Sequence, residues 1–217
     1  MFRELLINRQ LPPGYTKLNY LESSGQSIIN TGFISDTGNH RFDFTFLLTA
    51  NNNGRSLFAT RQQGISPGVG RVGTAYFGSS NVLNLYVGNS SSIMSSPNLP
   101  INTVHTGSFI IKMTPNEASF IINNTVIGPR TWVGSSITPN VQMPIFGAKI
   151  DSNDFAERLS GRYYKFDITS YSDSTHTNIV KQYKFIPVLD NNSIPAMYDI
   201  VNKTTHYNVG AGSFTYG

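Results

Sequence analysis

The acidic residues are the first place to look for catalytic chemistry in this 217-residue sequence. Hydrolysis of a glycosidic bond commonly uses two carboxyl groups about 5–9.5 Å apart, and acids at positions i and i+2 of a strand share one face. None of the twelve Asp and Glu residues has a second acid two positions away. Acids on different strands remain able to meet, but the spacing disfavours a glycoside hydrolase, and we expect a protein that is not an enzyme.

Two other motifs resemble reactive sites. The segment GISPG (residues 64–68) matches the G-x-S-x-G nucleophile elbow, which needs a helix after the serine. The residues that follow show no helical periodicity, so Ser66 is interpreted as a turn residue. Asp151 and Asp154 offer oxygen atoms of the kind that Ca²⁺ prefers, with an Asx turn into a short helix at residues 154–158 as the alternative. The four histidines lack metal-ligand spacing, and no cofactor is predicted.

Sugar binding is the other chemistry that the side chains suggest, because aromatic faces pack on pyranose rings and planar polar groups bind hydroxyls. Trp132, the only tryptophan, lies in a segment rich in Gly, Pro and Ser. An exposed indole there is costly unless it contacts something; the alternative is an anchor at the core edge. Tyr76 and Tyr86, with Asn84 and Arg61, are predicted to line one sheet face, where ordinary packing is the alternative. These five residues form the candidate carbohydrate-binding site.

Composition disfavours several other classes of protein. The net charge is +4, but the basic residues are scattered, whereas nucleic-acid-binding proteins usually concentrate them on one face. The chain has no cysteine, which excludes disulfides, thiolate metal sites and a cysteine nucleophile. No apolar run approaches the ~20 residues that span a bilayer, and residues 1–11 are too short and too charged for a signal peptide. Neither a nucleic-acid partner nor a membrane partner is predicted.

Period-two alternation dominates the chain and determines which side chains share a face. In HRFDFTFLLT (residues 40–49), the three phenylalanines point one way while Arg41, Asp43 and Thr45 point the other. Helical character is confined to residues 2–8 and 154–158. Further strands are predicted at residues 16–23, 27–33, 56–61, 73–78, 82–88, 106–114, 117–128, 141–150, 158–171 and 178–189. This pattern predicts one all-β domain, and its long loops and aromatic strands favour a two-sheet antiparallel jelly roll.

Several segments carry more detailed predictions. Asn123-Asn124 is expected to form a hairpin turn, because asparagine tolerates the positive φ of a type I′ turn. Pro144 indicates a bulge or a sheet edge, and residues 89–104 are expected to form a loop. Two strands have predicted faces, one made of Leu18, Tyr20 and Glu22 and the other of Tyr164, Phe166 and Ile168.

The segment FIPVLDNNSIPAMYD (residues 185–199) combines strand residues with two prolines. Because proline cannot donate to a strand ladder, Pro187 and Pro195 are expected at an edge or where pairing breaks. Asp190 and Asp199 are predicted to bond nearby backbone amides as turn and hairpin anchors rather than to form a catalytic pair. A final hairpin is predicted across Asn202-Lys203.

Both ends of the chain resemble a known module. LPPGYTKLNYLESSGQSIINTGF (residues 11–33), YYKFDITSY (163–171) and the stretch from KFIPVL to the end (184–217), with SLFATR and IFGAKI between them, are similar to concanavalin A-like (LamG-type) jelly-roll modules. These modules occur in tail and fibre proteins of bacteriophages and in prophage regions. The resemblance covers about residues 11–217 as one domain and leaves residues 1–10 as an N-terminal arm.

The resemblance implies two curved antiparallel sheets and no conserved catalytic centre. It implies a non-catalytic virion component, a fibre, decoration or tail-associated protein, at the extracellular face of the phage particle. The expected partners are other virion proteins, sister subunits in a homo-oligomer, for which trimers are typical of fibre modules, and host-surface polysaccharide. The alternative is a secreted or surface carbohydrate-binding lectin.

Overall fold

The computed structural model describes residues 11–34, 38–60, 71–88, 94–132, 142–149 and 155–217. The alternation of apolar and polar residues builds most of these residues into strands. The strands are, in chain order, β1 (Thr16–Lys17), β2 (Leu21–Ser24), β3 (Ile29–Ile34), β4 (Asn39–Leu48), β5 (Arg55–Thr60), β6 (Arg71–Phe77), β7 (Val82–Gly88), β8 (Met94–Asn98), β9 (Val104–Met113), β10 (Asn116–Ile122), β11 (Thr125–Thr131), β12 (Gln142–Ile145), β13 (Gly147–Lys149), β14 (Phe155–Ala156), β15 (Ser160–Tyr171), β16 (Ile179–Leu189), β17 (Pro195–Asp199), β18 (Thr204–His206) and β19 (Thr215–Tyr216). In the described part of the chain, no helix is long and apolar enough to cross a membrane.

The strands form two sheets. The larger sheet has eleven strands, in the order β11-β10-β9-β4-β15-β16-β17-β18, with β1, β2 and β19 attached to it. The smaller sheet has eight strands, in the order β14-β13-β5-β6-β7-β8, extended by β12 and β3. Pairing between the described strands is antiparallel apart from β13 with β5. The predicted all-β, two-sheet antiparallel jelly roll is confirmed.

Aromatic rings from both sheets form the core between them. The three phenylalanines of β4 are almost fully buried, and the ring of Phe42 stacks on that of Phe58 from the smaller sheet at 5.3 Å. The face of β4 that carries these rings is therefore the inner face. The alternate residues Arg41, Asp43 and Thr45 point to the outer face of the larger sheet, away from the core.

Two local predictions about turns and bulges are confirmed. Asn123 and Asn124 have φ values of 47° and 66° and join β10 to β11 as a hairpin, as a type I′ turn requires. The pairing of β12 with β3 shifts its register between Gln142 and Pro144, so Pro144 marks a bulge.

The predicted inner face of β15 is wrong at its tyrosine. Tyr163, rather than Tyr164, is completely buried, because the register of β15 against β4 shifts between Tyr163 and Lys165. The hydroxyl of Tyr163 donates to the carbonyl oxygen of Leu57 at 2.6 Å, and burial raises the pKa of this hydroxyl well above its ordinary value. A bulge thus changes the phase of the strand and lets one tyrosine link the two sheets.

The face predicted from Leu18, Tyr20 and Glu22 is also wrong beyond Leu18. The chain forms two short strands here, β1 and β2, rather than one, and the phase of burial changes between them. Leu21 and Ser23 of β2 are buried while Glu22 points outwards and is half buried.

Two segments differ in type from their predictions. Residues 89–104 are not one loop, because they contain β8, which pairs with β7; the hydroxyl of Ser96 also accepts a hydrogen bond from the amide of Leu83 at 2.9 Å. The short helix expected at residues 154–158 is wrong in its described part, since Phe155 and Ala156 form β14 against β13. The predicted helix and arm at the N-terminus lie outside the described residues.

The two aspartates near the C-terminus are backbone anchors, as predicted. Oδ1 of Asp190 accepts hydrogen bonds from the amides of Asn192 and Ile194 at 2.9 and 2.8 Å, and chiefly the bond from Ile194 lowers the pKa of Asp190. Oδ1 of Asp199 accepts from three amides, those of Lys184, Val201 and Asn202, at 3.1, 3.0 and 3.3 Å. The predicted hairpin of β17 and β18 closes this end of the larger sheet.

Both prolines lie where strand pairing changes. Along one edge of β16, the partner strand is β15 as far as Phe185. From Pro187 onwards the partner on that edge is β1, and the amide of Leu18 donates to the carbonyl oxygen of Pro187 at 3.0 Å. Pro195 is the first residue of β17, a position where the missing donor is tolerated. The prediction that these prolines mark breaks in pairing is confirmed.

Replacement of Gly73 by alanine is expected to lower the free energy of unfolding by about 2 kcal/mol. Gly73 has a φ of +71°, and a Cβ atom there would lie 2.7 Å from Cε2 of the buried Phe42 ring. Urea denaturation of both proteins measures the difference.

Gly54→Ala is the matched control, since Gly54 has a φ of +76° but its Cβ atom would meet only the Tyr76 hydroxyl, at 3.6 Å. The free energy of unfolding of this variant should fall by only about 1 kcal/mol, the cost of a non-glycine residue at positive φ. Equal losses at the two glycines would contradict the tight contact between Gly73 and Phe42.

Candidate functional site

The structure places Trp132 in the core. The residue follows β11, is 3% exposed and belongs to the main hydrophobic cluster between the sheets. Its Nε1 donates to the carbonyl oxygen of Lys112 at 3.3 Å, and its amide donates to the carbonyl oxygen of Asn116 at 3.1 Å. With its ring buried and its polar atom bonded, Trp132 anchors the end of β11. The predicted sugar contact is therefore corrected to the alternative interpretation, a core anchor.

Three of the other candidates share one face of the smaller sheet. Tyr76 of β6 pairs with Asn84 of β7, and Tyr86 lies one step along on the same side. Their chain neighbours are buried while all three are half buried, so they point away from the core. The two tyrosine rings pack edge to face with centroids 6.4 Å apart, and the hydroxyl of Ser95 donates to Oδ1 of Asn84 at 2.7 Å.

This surface, the tyrosine face (Tyr76, Asn84 and Tyr86), stays a predicted sugar-binding site. Arg61 lies outside the described residues, and so do Asp151 and Asp154, the residues considered for calcium. Among the residues that the structure describes, no group of three or more His, Asp or Glu side chains could hold a metal ion.

A second surface, not predicted as a site, lies on the outer face of the larger sheet. Its centre is a row of side chains from four neighbouring strands: Ser108 of β9 pairs with Asp43 of β4, Asp43 with Asp167 of β15, and Asp167 with Lys184 of β16. A cavity of about 340 Å³ opens beside this row, within the 300–1,000 Å³ typical of small-ligand sites. Its lining is Arg41, Asp43, Phe44, Thr45, Thr106, Gly107, Ser108, Ile121, Asn124 and Lys165.

We call this cavity the polar groove (Arg41, Asp43, Thr45, Thr106, Ser108 and Lys165). Asp43 in this groove and Asp167 beside it each hold the cation two residues earlier on their own strand. Nε of Arg41 donates to both carboxylate oxygens of Asp43, at 3.0 and 2.8 Å, and Nη2 donates to Oδ1 at 2.9 Å. Nζ of Lys165 lies 2.8 Å from Oδ2 of Asp167. Because the strands are antiparallel, the aspartates meet in the middle and each cation approaches from its own end.

The carboxylates lie deeper than the cations. Asp167 is 8% exposed, and its Oδ1 is buried without a hydrogen-bond partner among the described residues. Burial raises the pKa of Asp167, and the hydrogen bond from Lys165 partly opposes this rise. The hydroxyl of Ser108 donates to Asp43, which fixes the second carboxylate. A ligand that enters the groove thus meets cationic and hydroxyl groups before it meets the carboxylates.

The sequence contains a signal for this groove, although no two acids lie at positions i and i+2. Arg41-Phe42-Asp43 and Lys165-Phe166-Asp167 repeat one pattern, a cation and an acid on the outer face around a core phenylalanine. The pattern predicts two ion pairs on outer faces. The pattern does not predict that the two aspartates lie opposite one another. Their position depends on the register of β4 and β15, which no local pattern specifies.

Comparisons with known proteins identify the fold of this chain. No family model matches it, and the comparison with curated proteins found no match. Among solved structures, a carbohydrate-binding module (CBM40) of a Ruminococcus gnavus sialidase, bound to α2,3-sialyllactose, is similar at 9% identity and a TM-score of 0.55, over 74% of this chain and 91% of the module.

Two further structures cover more of this chain. A Bacteroides ovatus protein assigned to carbohydrate binding has 12% identity and a TM-score of 0.61, over 93% of this chain and 60% of that one. A heptameric SAP-like pentraxin from Limulus polyphemus has 14% identity and a TM-score of 0.51, over 93% and 89%. At these identities the similarity shows a shared concanavalin-like sandwich.

Proposed function

We propose that the protein is a non-catalytic glycan-binding module that holds a saccharide in the polar groove. The observation that carries this proposal is the groove itself, about 340 Å³ of space lined by hydroxyl, amide and charged groups. Such groups supply the donors and acceptors that sugar hydroxyls need. The sialidase module and the Bacteroides ovatus protein, which have the same fold, lend support because the first is bound to α2,3-sialyllactose and the second is assigned to carbohydrate binding.

The state of the two carboxylates supports a non-catalytic role. A general acid has to come within hydrogen-bond reach of the glycosidic oxygen. The side chain of Asp167 is only 11% exposed and is bonded to Lys165, while Asp43 is bonded to Arg41 and Ser108. The two acids face one another across β4 and β15. The oxygen without a partner, Oδ1 of Asp167, is buried, and Asp43 is held by its neighbours, so we expect binding without hydrolysis.

A glycan array probed with the isolated protein, together with an assay for released reducing sugar, tests this proposal. We expect binding to at least one class of host-surface polysaccharide and no sugar release. Thr106→Trp, which adds a large side chain at an exposed position in the groove, should weaken this binding about tenfold or more.

Tyr86→Ala is the matched comparison on the tyrosine face. If this variant loses binding and Thr106→Trp does not, the saccharide binds at the predicted tyrosine face and the groove assignment is wrong. Sugar release by the wild type would refute the non-catalytic role. A lack of binding to every glycan on the array would refute the proposed glycan-binding function.

We further propose that this module is a virion component of a bacteriophage, exposed on the particle as part of a fibre, a decoration or a tail. The support is the resemblance of residues 11–33, 163–171 and 184–217 to modules of phage tail and fibre proteins. Mass spectrometry of purified particles should find the protein at a fixed ratio to the capsid protein. Recovery only from the culture supernatant would favour the secreted lectin instead.

Assembly with sister subunits and with other virion proteins is part of the same proposal. Trimers are typical of fibre modules, and a protein with the same fold, the Limulus polyphemus pentraxin, is a heptamer. Light scattering after size-exclusion chromatography measures the number of subunits directly.

A further inference from the structure

We infer that the polar groove selects anionic saccharides, with Arg41 and Lys165 as the two groups that bind a carboxylate or sulfate on the sugar. This inference rests on the proposed glycan-binding function and adds the chemical class of the ligand. Three features support it. The cations of the groove are more exposed than the carboxylates, and both cations keep hydrogen-bond donors for a ligand. The described lining residues also offer no exposed aromatic ring on which a neutral sugar could stack.

The cations of the groove are more accessible than the carboxylates that hold them. The side chains of Arg41 and Lys165 are 42% and 50% exposed, whereas those of Asp43 and Asp167 are 26% and 11% exposed. An approaching ligand therefore meets positive charge first. The carboxylates beneath orient the cationic groups, since charge-assisted bonds of this kind are short and directional.

Both cations keep donors for a ligand. Arg41 uses Nε and Nη2 on Asp43 and Ser108, and no described residue accepts from its Nη1. An ammonium group carries three donors, and the bond of Lys165 to Asp167 uses one of them. A carboxylate or sulfate presents several acceptor oxygens and matches this arrangement better than a single hydroxyl does.

The two cationic groups also converge. Arg41 and Lys165 lie on opposite sides of the Asp43–Asp167 pair, which are cross-strand partners, and each bonds the aspartate of its own strand. The Cα atoms of such partners lie about 4.5–5.5 Å apart. Arg41 and Lys165 line the same cavity, so one acidic sugar residue, or two neighbouring ones, can contact both cations.

The described lining lacks the rings on which neutral sugars usually stack. It contains neither Tyr nor Trp, and its one phenylalanine, Phe44, is 2% exposed and packs in the core. Binding energy in the groove must therefore come mostly from charge and hydrogen bonds. Neutral sugars gain little from exposed cations, whereas acidic sugars gain a charge-assisted bond from each.

The charge of the groove also depends on pH through Asp167. The groups that face it are Asp43 from β4, Lys184 from β16 and Lys165 on its own strand. Since burial raises the pKa of Asp167, this acid takes up a proton as the pH falls while an exposed carboxyl is still ionised. Loss of its negative charge makes the groove more positive, so affinity for a sulfated sugar should rise as the pH falls.

Calorimetric titration of the whole chain with three polymers tests the inference: neutral dextran, polygalacturonate, which carries carboxylates, and dextran sulfate. We expect binding to at least one anionic polymer and about tenfold or more weaker binding to dextran. The two anionic arms show whether carboxylate or sulfate is preferred. Arg41→Gln and Lys165→Gln should each weaken the anionic interaction about tenfold, while Arg41→Lys and Lys165→Arg should retain most of it.

Lys203→Gln is the matched control, because it removes the same charge from an exposed turn between β17 and β18, outside the groove. An equal loss in this variant would show non-specific attraction to a basic protein and overturn the inference. Equal affinity for dextran and both anionic polymers, unchanged in Arg41→Gln, would overturn it as well while leaving the proposed glycan binding intact. If none of the polymers and no glycan on the array binds, the proposed function itself fails.

Discussion

Replacement of Trp132 by alanine is expected to lower the free energy of unfolding by about 3–5 kcal/mol. Trp132 is 3% exposed and packs in the cluster that joins the two sheets. Its removal loses the transfer free energy of the indole and leaves a cavity that the surrounding strands fill only in part. Urea denaturation followed by circular dichroism measures the loss from the shift of the midpoint.

Two further variants separate packing from ligand contact at this position. Trp132→Phe keeps an aromatic ring but removes the donor to the carbonyl oxygen of Lys112, so its loss of stability should be clearly smaller. Val126→Ala, on the exposed side of β11, should change stability by less than about 0.5 kcal/mol. Folded Trp132→Phe should bind glycans as the wild type does; a large loss of affinity with little loss of stability would contradict the core assignment.

The burial of Trp132 could not be predicted from the residues around it in the sequence. Its Gly-, Pro- and Ser-rich surroundings predict a loop, and a lone indole in a loop is compatible with either a ligand site or an anchor. The choice depends on whether the core between the two sheets encloses the indole, and residues far along the chain from Trp132, such as Phe44 of β4 and Leu57 of β5, belong to that core. Local composition contains no trace of them.

The strands themselves were predictable wherever alternation runs without interruption. In β4 each second residue is aromatic, so its inner face follows directly from the sequence, as does the turn at Asn123-Asn124. The errors on β15 and β1–β2 come from a bulge and from a break between two strands, where the phase of alternation changes. β8 was missed because MSSPN has little strand propensity of its own, and its pairing with β7 supplies the missing stabilisation.

The groove was predictable only in part for a related reason. Alternation places Arg41 and Asp43 together on an outer face, and it does the same for Lys165 and Asp167. The site exists because β4 and β15, far apart in the chain, pair with Asp43 opposite Asp167. A change of one residue in that register would send one aspartate to the other face of the sheet, and no single strand encodes the register.

Replacement of Asp199 by alanine is expected to lower the free energy of unfolding by about 3 kcal/mol. The carboxylate is completely buried, and its Oδ1 accepts from the amides of Lys184, Val201 and Asn202. Alanine leaves these donors without that acceptor. An unsatisfied buried donor costs about 1–3 kcal/mol, and this cost applies chiefly to the amide of the half-buried Lys184, since Val201 and Asn202 are exposed. Urea denaturation measures the total loss, and amide hydrogen exchange should accelerate at these three positions before it does so in β4.

Asp199→Asn distinguishes the loss of the acceptor from the loss of the charge. The asparagine carbonyl can occupy the position of Oδ1 and keep the three amide bonds. Its NH2 group cannot accept the bond that Oδ2 receives from Nδ2 of Asn202, so this variant should lose about 1–2 kcal/mol. If both variants lose the same amount, the charge rather than the bonding geometry stabilises the hairpin. The three amides that Asp199 accepts from belong to two parts of the chain. β16 contributes one of them and the turn after β17 contributes the other two. One side chain therefore holds the turn between β17 and β18 against β16, at the end of the β16–β17 ladder opposite Pro195.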